Sequence, residues 1–191
     1  MTHFRSVQLA VLFVALSAAP VVVAESTAQQ MPPMPKPGPE HEILKMDVGT
    51  WDASVEMLPG PGAPPMTSKG VEVNTIGCGG MCLITDFKGE LMPGVAFQGH
   101  GVTTWDSVKK KYAGSWTDSM STGLAITEAT YDPASKKATG SMEGRGMTGE
   151  IVKSRTVAEY KGADSRVMTA YAPGPDGKEM QLMQITYSRR K

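Results

Sequence analysis

Cys78 and Cys82 flank Gly79-Gly80-Met81 in a chain of 191 residues that holds no other cysteine. A hairpin tip at that spacing can be clamped by a disulfide, provided the two α-carbons come within bonding range. The sharper reading is a redox-active pair. The spacing is C-x3-C rather than C-x-x-C, however, and no βαβ pattern surrounds it. Free thiols are the third reading. The other residues suited to chemistry are two acids, Asp118 and Glu128. In an extended chain Asp118 shares a face with Tyr112, Gly114 and Trp116, and Glu128 shares one with Leu124 and Ile126. A hairpin tip near Ser121 then brings both carboxylates to one face of adjacent strands. An unpaired buried charge is costly, so that face must be wet or must supply a cation. Asp118, Glu128, Trp116 and Tyr112 are therefore the candidate lining of a cavity for a small, partly hydrophobic ligand. A structural salt bridge or a solvated rim explains the same acids equally simply.

Metal and nucleophile chemistry fare worse. His41-Glu42 opens H-E-x-x-K, which lacks the second histidine of a zinc protease. The 14 methionines invite a copper reading with Met81, Cys78 and Cys82 as soft ligands. Methionine is more often a flexible packing residue, so neither metal nor cofactor is expected. No G-x-S-x-G occurs. Gly144-Arg145-Gly146-Met147-Thr148-Gly149 has the letters of a dinucleotide loop, but no hydrophobic strand precedes it and no helix follows it. Lys and Arg number 19 against 19 Asp and Glu. With no basic excess or stripe, nucleic acid is not an expected partner.

Positioning these residues falls to short extended elements. Gly38 and Pro39 open a short helix, since proline suits a first helical turn, and Glu40 and Glu42 suit its positive end. Gly49 should end it. From Trp51 the period changes to two, with Trp51, Val55 and Met57 alternating against Asp52, Ser54 and Glu56. Strand-like runs follow at 69–76, 81–90, 95–105, 110–120, 124–131, 136–143, 150–160, 166–172 and 179–188. Gly, Pro and Asp turns separate them. The run 150–160 has fair helix propensity and 136–143 is weakly apolar. Both are read as strands because their neighbours are strands. Strands at this spacing predict an all-β antiparallel barrel or sandwich.

The first residues read as an export signal. A basic start precedes the apolar run Val7–Leu16, and small residues follow to Ala24, after which cleavage is expected. The run is too short and too broken for a membrane span, and no later segment is more apolar, so stable membrane insertion is not expected. Residues 1–24 are thus a predicted signal peptide and 25–37, rich in Gln and Pro, a predicted disordered leader. Residues 38–191 are the predicted barrel domain. The expected location is periplasmic or secreted, where a disulfide is the default state.

Gly49-Thr50-Trp51-Asp52, the loop 60–65, the run from Trp105-Asp106 to Trp116 and Asp118, and the ending from Gly174-Pro175-Asp176-Gly177 to Tyr187 together resemble a bacterial family, domain of unknown function 1579. The resemblance spans about residues 38–190. It implies a single antiparallel, calycin- or lipocalin-like β-barrel of 8–10 strands with a short N-terminal helix, and it carries no reaction or catalytic residue. In such barrels the Trp of a Gly-x-Trp closes one end beneath an Arg of the last strand. The resemblance therefore implies Trp51 as the plug, with Arg189 or Arg190 stacked on it. Some short, wide barrels related to calycins hold haem through one histidine. Here His100 shares parity with Ala96 and Gln98, opposite Phe97, and is expected to face outward. The functional expectation is a ligand-binding or carrier barrel. A filled scaffold of the envelope, or an enzyme using Asp118 and Glu128, are the alternatives.

Overall fold

In the computed structural model the described residues are 33–191, apart from Pro61, Pro93, Met147 and Pro175. The predicted signal peptide and most of the predicted leader lie outside them. Pro35–Lys191 forms one compact unit. It begins with helix α1 (Pro39–Leu44) and a 3-10 turn (Lys45–Asp47). Ten strands follow: β1 (Gly49–Met57), β2 (Met66–Gly77), β3 (Cys82–Met92), β4 (Val95–Asp106), β5 (Lys111–Asp118), β6 (Ala125–Asp132), β7 (Lys137–Arg145), β8 (Ile151–Tyr160), β9 (Ser165–Pro173) and β10 (Glu179–Arg189). Each pairs antiparallel with the next, and β1 pairs with β10, which closes the barrel. Both segments of weak strand character, 136–143 and 150–160, are strands. Closure leaves no free edge, so each obtains ladder partners on both sides that its own composition does not demand.

The helix begins as expected and ends differently. The Gly38 N–H donates to Nδ1 of His41 at 2.9 Å, and Pro39 takes the first turn. The helical path stops at Asp47, two residues before Gly49, which already belongs to β1. Leu44, Leu83 and Tyr112 form a small core under this segment. The Tyr112 hydroxyl donates to the carbonyl of Glu40 at 2.9 Å. Helix α1 and its 3-10 turn thus sit across one end of the barrel as a plug.

Alternation fixes which side chains enter the barrel. Trp51, Ala53 and Val55 of β1 are buried, with Phe87, Ile185 and Tyr187, in the main core. Register extends that face around the sheet. Phe87 lies opposite Gly99, Gly101 opposite Trp116, and Trp116 opposite Ala125. Two aromatic rings lie along the wall over glycines of the neighbouring strand. A Cβ on Gly70 would meet Phe87 Cζ at 2.3 Å, and one on Gly99 would meet Trp116 Cζ2 at 2.1 Å. Rings laid on the wall line a barrel without spanning it.

The inward residues of β6–β8 are mostly small, with Tyr131, Met142 and Tyr160 the larger ones. The small ones include Ala125, Thr127 and Ala129 on β6, Ala138 and Gly140 on β7, and Ser154, Thr156 and Ala158 on β8. Apart from buried Ala125 and Ser154, each keeps partial solvent exposure. Leu124 and Ile126 point outward instead and are 57% and 53% exposed. Among the described residues no helix is long and apolar enough to cross a membrane.

Candidate functional site

The plugged end is built around Trp51, which has no exposed surface. Its indole N–H donates to the Asp47 carbonyl at 2.7 Å. Arg189, opposite Trp51 in the β1–β10 register, places its guanidinium 4.0 Å from the ring centroid. The same guanidinium donates to the carbonyls of Met46 (2.8 Å) and Val48, at the C-terminal side of the plug where carbonyls lack helical partners. Nε donates to the Ala163 carbonyl at 3.0 Å. One side chain therefore joins the plug, the indole, the last strand and the β8–β9 turn. Arg190 points away and pairs with Asp52 on the outer face at 2.6 Å.

Beneath the indole lies a buried charge cluster that the strand pattern did not single out. Arg166 sits 4.8 Å from the Trp51 ring and 4.2 Å from the Tyr187 ring. It pairs with Asp47 at 2.9 Å and with Glu72. Asn74 donates to Glu72 at 2.6 Å, and the Tyr160 hydroxyl donates to Asp47 at 3.0 Å. Burial pushes the Asp47 carboxyl above the usual carboxylate range; Arg166 opposes that push and Glu72 adds to it. Burial alone would lower the Arg166 pKa, but the carboxylates of Asp47 and Glu72 hold it above its ordinary value. Burial, and then Asp47, raise the Tyr160 hydroxyl. The one signal in sequence was Glu72 set between Val71 and Val73, a charge in mid-strand that must be solvated or paired.

The four proposed cavity residues part company. Trp116 lies on the inner wall, half-buried, over Gly99 and Gly101. Asp118 shares that face near the unplugged end, but its carboxylate is filled. It accepts from Trp116 Nε1 (2.9 Å), the N–H groups of Met120 (2.9 Å) and Ser121 (2.8 Å), and the Ser121 hydroxyl (3.0 Å). It is a turn-forming aspartate. Tyr112 faces inward at the plugged end, where its hydroxyl is used on the helix. Glu128 overturns the expectation of a shared face. It points outward and pairs with Lys109 at 2.6 Å and Lys111 at 3.1 Å, and hydrogen bonds from these two lysines hold its carboxyl below the usual range. The physical reason is that apolar Ile126, with Leu124 just before the strand, lies on the outer face of β6, while the small Ala125, Thr127 and Ala129 face inward.

The cysteines form a disulfide, Cys78–Cys82, with α-carbons 5.5 Å apart. It clamps the β2–β3 turn at the plugged end. That removes both sulfurs from any soft-metal set. Among the described residues no cluster of three His, Cys, Asp or Glu is poised for a metal. His100 faces outward, its Nδ1 at 2.8 Å from Asp86, both side chains half-exposed. The pair borders an open depression of about 340 Å³ that also touches Gln98, Thr117 and Ser119. A second depression of about 340 Å³ lies beside the plug, against Lys45, Tyr131, Lys136, Tyr160 and Arg189.

Residues 36–189 match a family model described as protein of unknown function, DUF1579. No curated protein matches the chain. Among solved structures, the crystal structure of Rv2717c from M. tuberculosis aligns with a TM-score of 0.61 at 12% identity, covering 82% of this chain and 100% of that one. A likeness at that identity is one of fold alone.

Proposed function

This chain belongs to the DUF1579 family, proteins of unknown function, and from that premise and the barrel's geometry we propose that it is an exported container that binds or carries a small molecule. One observation carries the proposal. The inward side chains of β6–β8 are mostly Ala, Gly, Ser and Thr, and most of them remain partly solvent-accessible. An eight-stranded barrel can be filled by its own side chains or hold one small ligand. Ten strands with mostly small residues on one wall support an interior with room for a small ligand. The plug closes one end, so entry is from the end carrying the β1–β2, β5–β6 and β9–β10 loops. The signal-like start and the disulfide both support an oxidising, extracytoplasmic setting, with a mature chain beginning after Ala24.

Native mass spectrometry of protein purified gently from the envelope fraction tests the reading. A stoichiometric passenger is the expected result; no passenger across several mild preparations would remove the carrier reading. The scaffold alternative requires a filled interior, which the β6–β8 wall does not favour. The enzyme alternative lacks its acid–base pair, because Asp118 is saturated with hydrogen bonds and Glu128 lies outside the barrel.

A further inference from the structure

Five of the 14 methionines lie on inward positions toward one end of the barrel. Met66 and Met183 lie directly opposite Met57 in the β1–β2 and β1–β10 registers, which sets three thioether side chains in one inward row across β2, β1 and β10. Met142 faces inward between Thr127 and Ser154, and Met180 opposite Ala172. All five occupy the unplugged half and all are half-buried. Directly opposed residues bring their Cβ atoms to about 4.5–5.5 Å, so Met57, Met66 and Met183 are side-by-side neighbours, with Met57 and Met183 also packed on the edge of the main core. Around them the inward face continues with Val55, Phe97, Trp116 and Ala170. The interior is thus divided along its axis: the charged groups Arg166, Glu72 and Asp47 lie under the plug, and an apolar, sulfur-rich collar lies beyond them.

Resting on the container reading, we infer that the ligand is a neutral, flexible, predominantly apolar chain held by this methionine collar, with no charged head group inside the barrel. Two observations decide the charge. Among the described residues the one inward-facing charged side chain of the open half is Asp118, and both its oxygens are already engaged. Among the described residues the one buried cation of the strands, Arg166, is held by two carboxylates and offers no free charge to a carboxylate or phosphate. An unpaired charge brought into this space would lose its hydration without a partner. Flexibility follows from the collar itself. Unbranched thioether side chains adapt to irregular shapes, which suits a conformationally variable chain better than a rigid ring system.

The test uses the wild-type protein. Dilute peroxide oxidises accessible methionines to sulfoxides, and mass spectrometry of peptides reads the rate at each site. Met34, 84% exposed and preceding the barrel in sequence, is the internal reference. 1-Dodecanol is expected to slow oxidation of Met57, Met66, Met142 and Met183 about tenfold near ten times its Kd, leaving Met34 unchanged. Dodecanoate, of equal length but charged, is expected to bind at least about tenfold more weakly, a difference of about 1.4 kcal/mol. Equal or better protection by dodecanoate would overturn the neutral-ligand inference and leave the container reading standing. Protection by neither probe would overturn the collar as a ligand site. In that case a passenger seen by native mass spectrometry would still support a container, and its absence would remove both readings.

Discussion

The space above Gly49 belongs to Arg189: a Cβ on Gly49 would lie 2.8 Å from the arginine Nη1, and Gly49 itself holds φ at +124°. The glycine of Gly-x-Trp is therefore required twice, for its backbone and for the guanidinium that covers Trp51. Gly49→Ala should destabilise the fold by more than about 1 kcal/mol, since an L side chain is strained at that φ and must also displace the arginine. Arg189→Lys keeps the charge but loses the planar fork and the stacking, and about 1–3 kcal/mol is the expected loss. Chemical denaturation measures both; a wild-type midpoint for either variant would contradict the assignment.

Asp47 sets a pH dependence of definite sign. Its carboxyl is raised above the ordinary 3.8 by burial, so the folded state holds its proton more tightly than the unfolded state does. Its contribution is fully present below the unfolded value and is lost as pH rises through the folded one. Asp47→Asn mimics the protonated form. Melting should find the variant close to wild type near pH 4 and progressively more stable than wild type toward pH 8. The opposite trend would mean that the pairing with Arg166 outweighs burial.

The disulfide closes a very short loop, so its contribution is small. Replacing both cysteines, Cys78→Ser with Cys82→Ser, should cost about 2 kcal/mol through the unfolded chain's regained freedom, and differential scanning calorimetry should show Tm lower by about 4–8 °C. Any passenger should still be carried, because the bond lies at the plugged end. A collapse of the fold would show that the β2–β3 turn contributes more than its clamp.

Filling the lumen separates a container from a packed scaffold. Thr156 faces inward between Gly140 and Ala170. In a tightly packed interior Thr156→Phe would cost about 1–3 kcal/mol. In an open lumen the ring finds space, so Tm holds or rises while the passenger is lost. Loss of stability with an unchanged passenger would place the ligand elsewhere.

Glu128→Gln should leave ligand binding unchanged and Tm within scatter at physiological salt, because exposed pairs such as those with Lys109 and Lys111 are screened. A strong loss of binding would restore Glu128 to the site.

Strand positions were legible because turn residues punctuate this chain so regularly; even the weak runs before Arg145 and Tyr160 were recoverable from their neighbours. The facing of β6 was not. Alternation identifies the more apolar side, and that side is inward only where the interior is a core. At Leu124 and Ile126 the rule inverts: the apolar residues face solvent, while the small Ala125, Thr127 and Ala129 face the barrel interior. Asp118 misled for a local reason: an acid opening a turn looks the same in sequence as an acid poised for catalysis. Of the Arg166 cluster only Glu72 left a trace in the sequence, because its members come from the plug, β2 and β9, and only closure of the sheet brings them together.

The seam between β1 and β10 has a kinetic consequence. Val48 and Arg189 are joined across 141 positions of sequence, whereas every other strand meets a neighbour next to it along the chain. Hairpins can zip early, each across a short turn. The seam must await the strand latest in sequence and bears the largest loop-closure entropy. Substitutions at Trp51 or Arg189 should then accelerate unfolding far more than they retard folding, so the indole and its guanidinium set how long the barrel, once shut, stays shut.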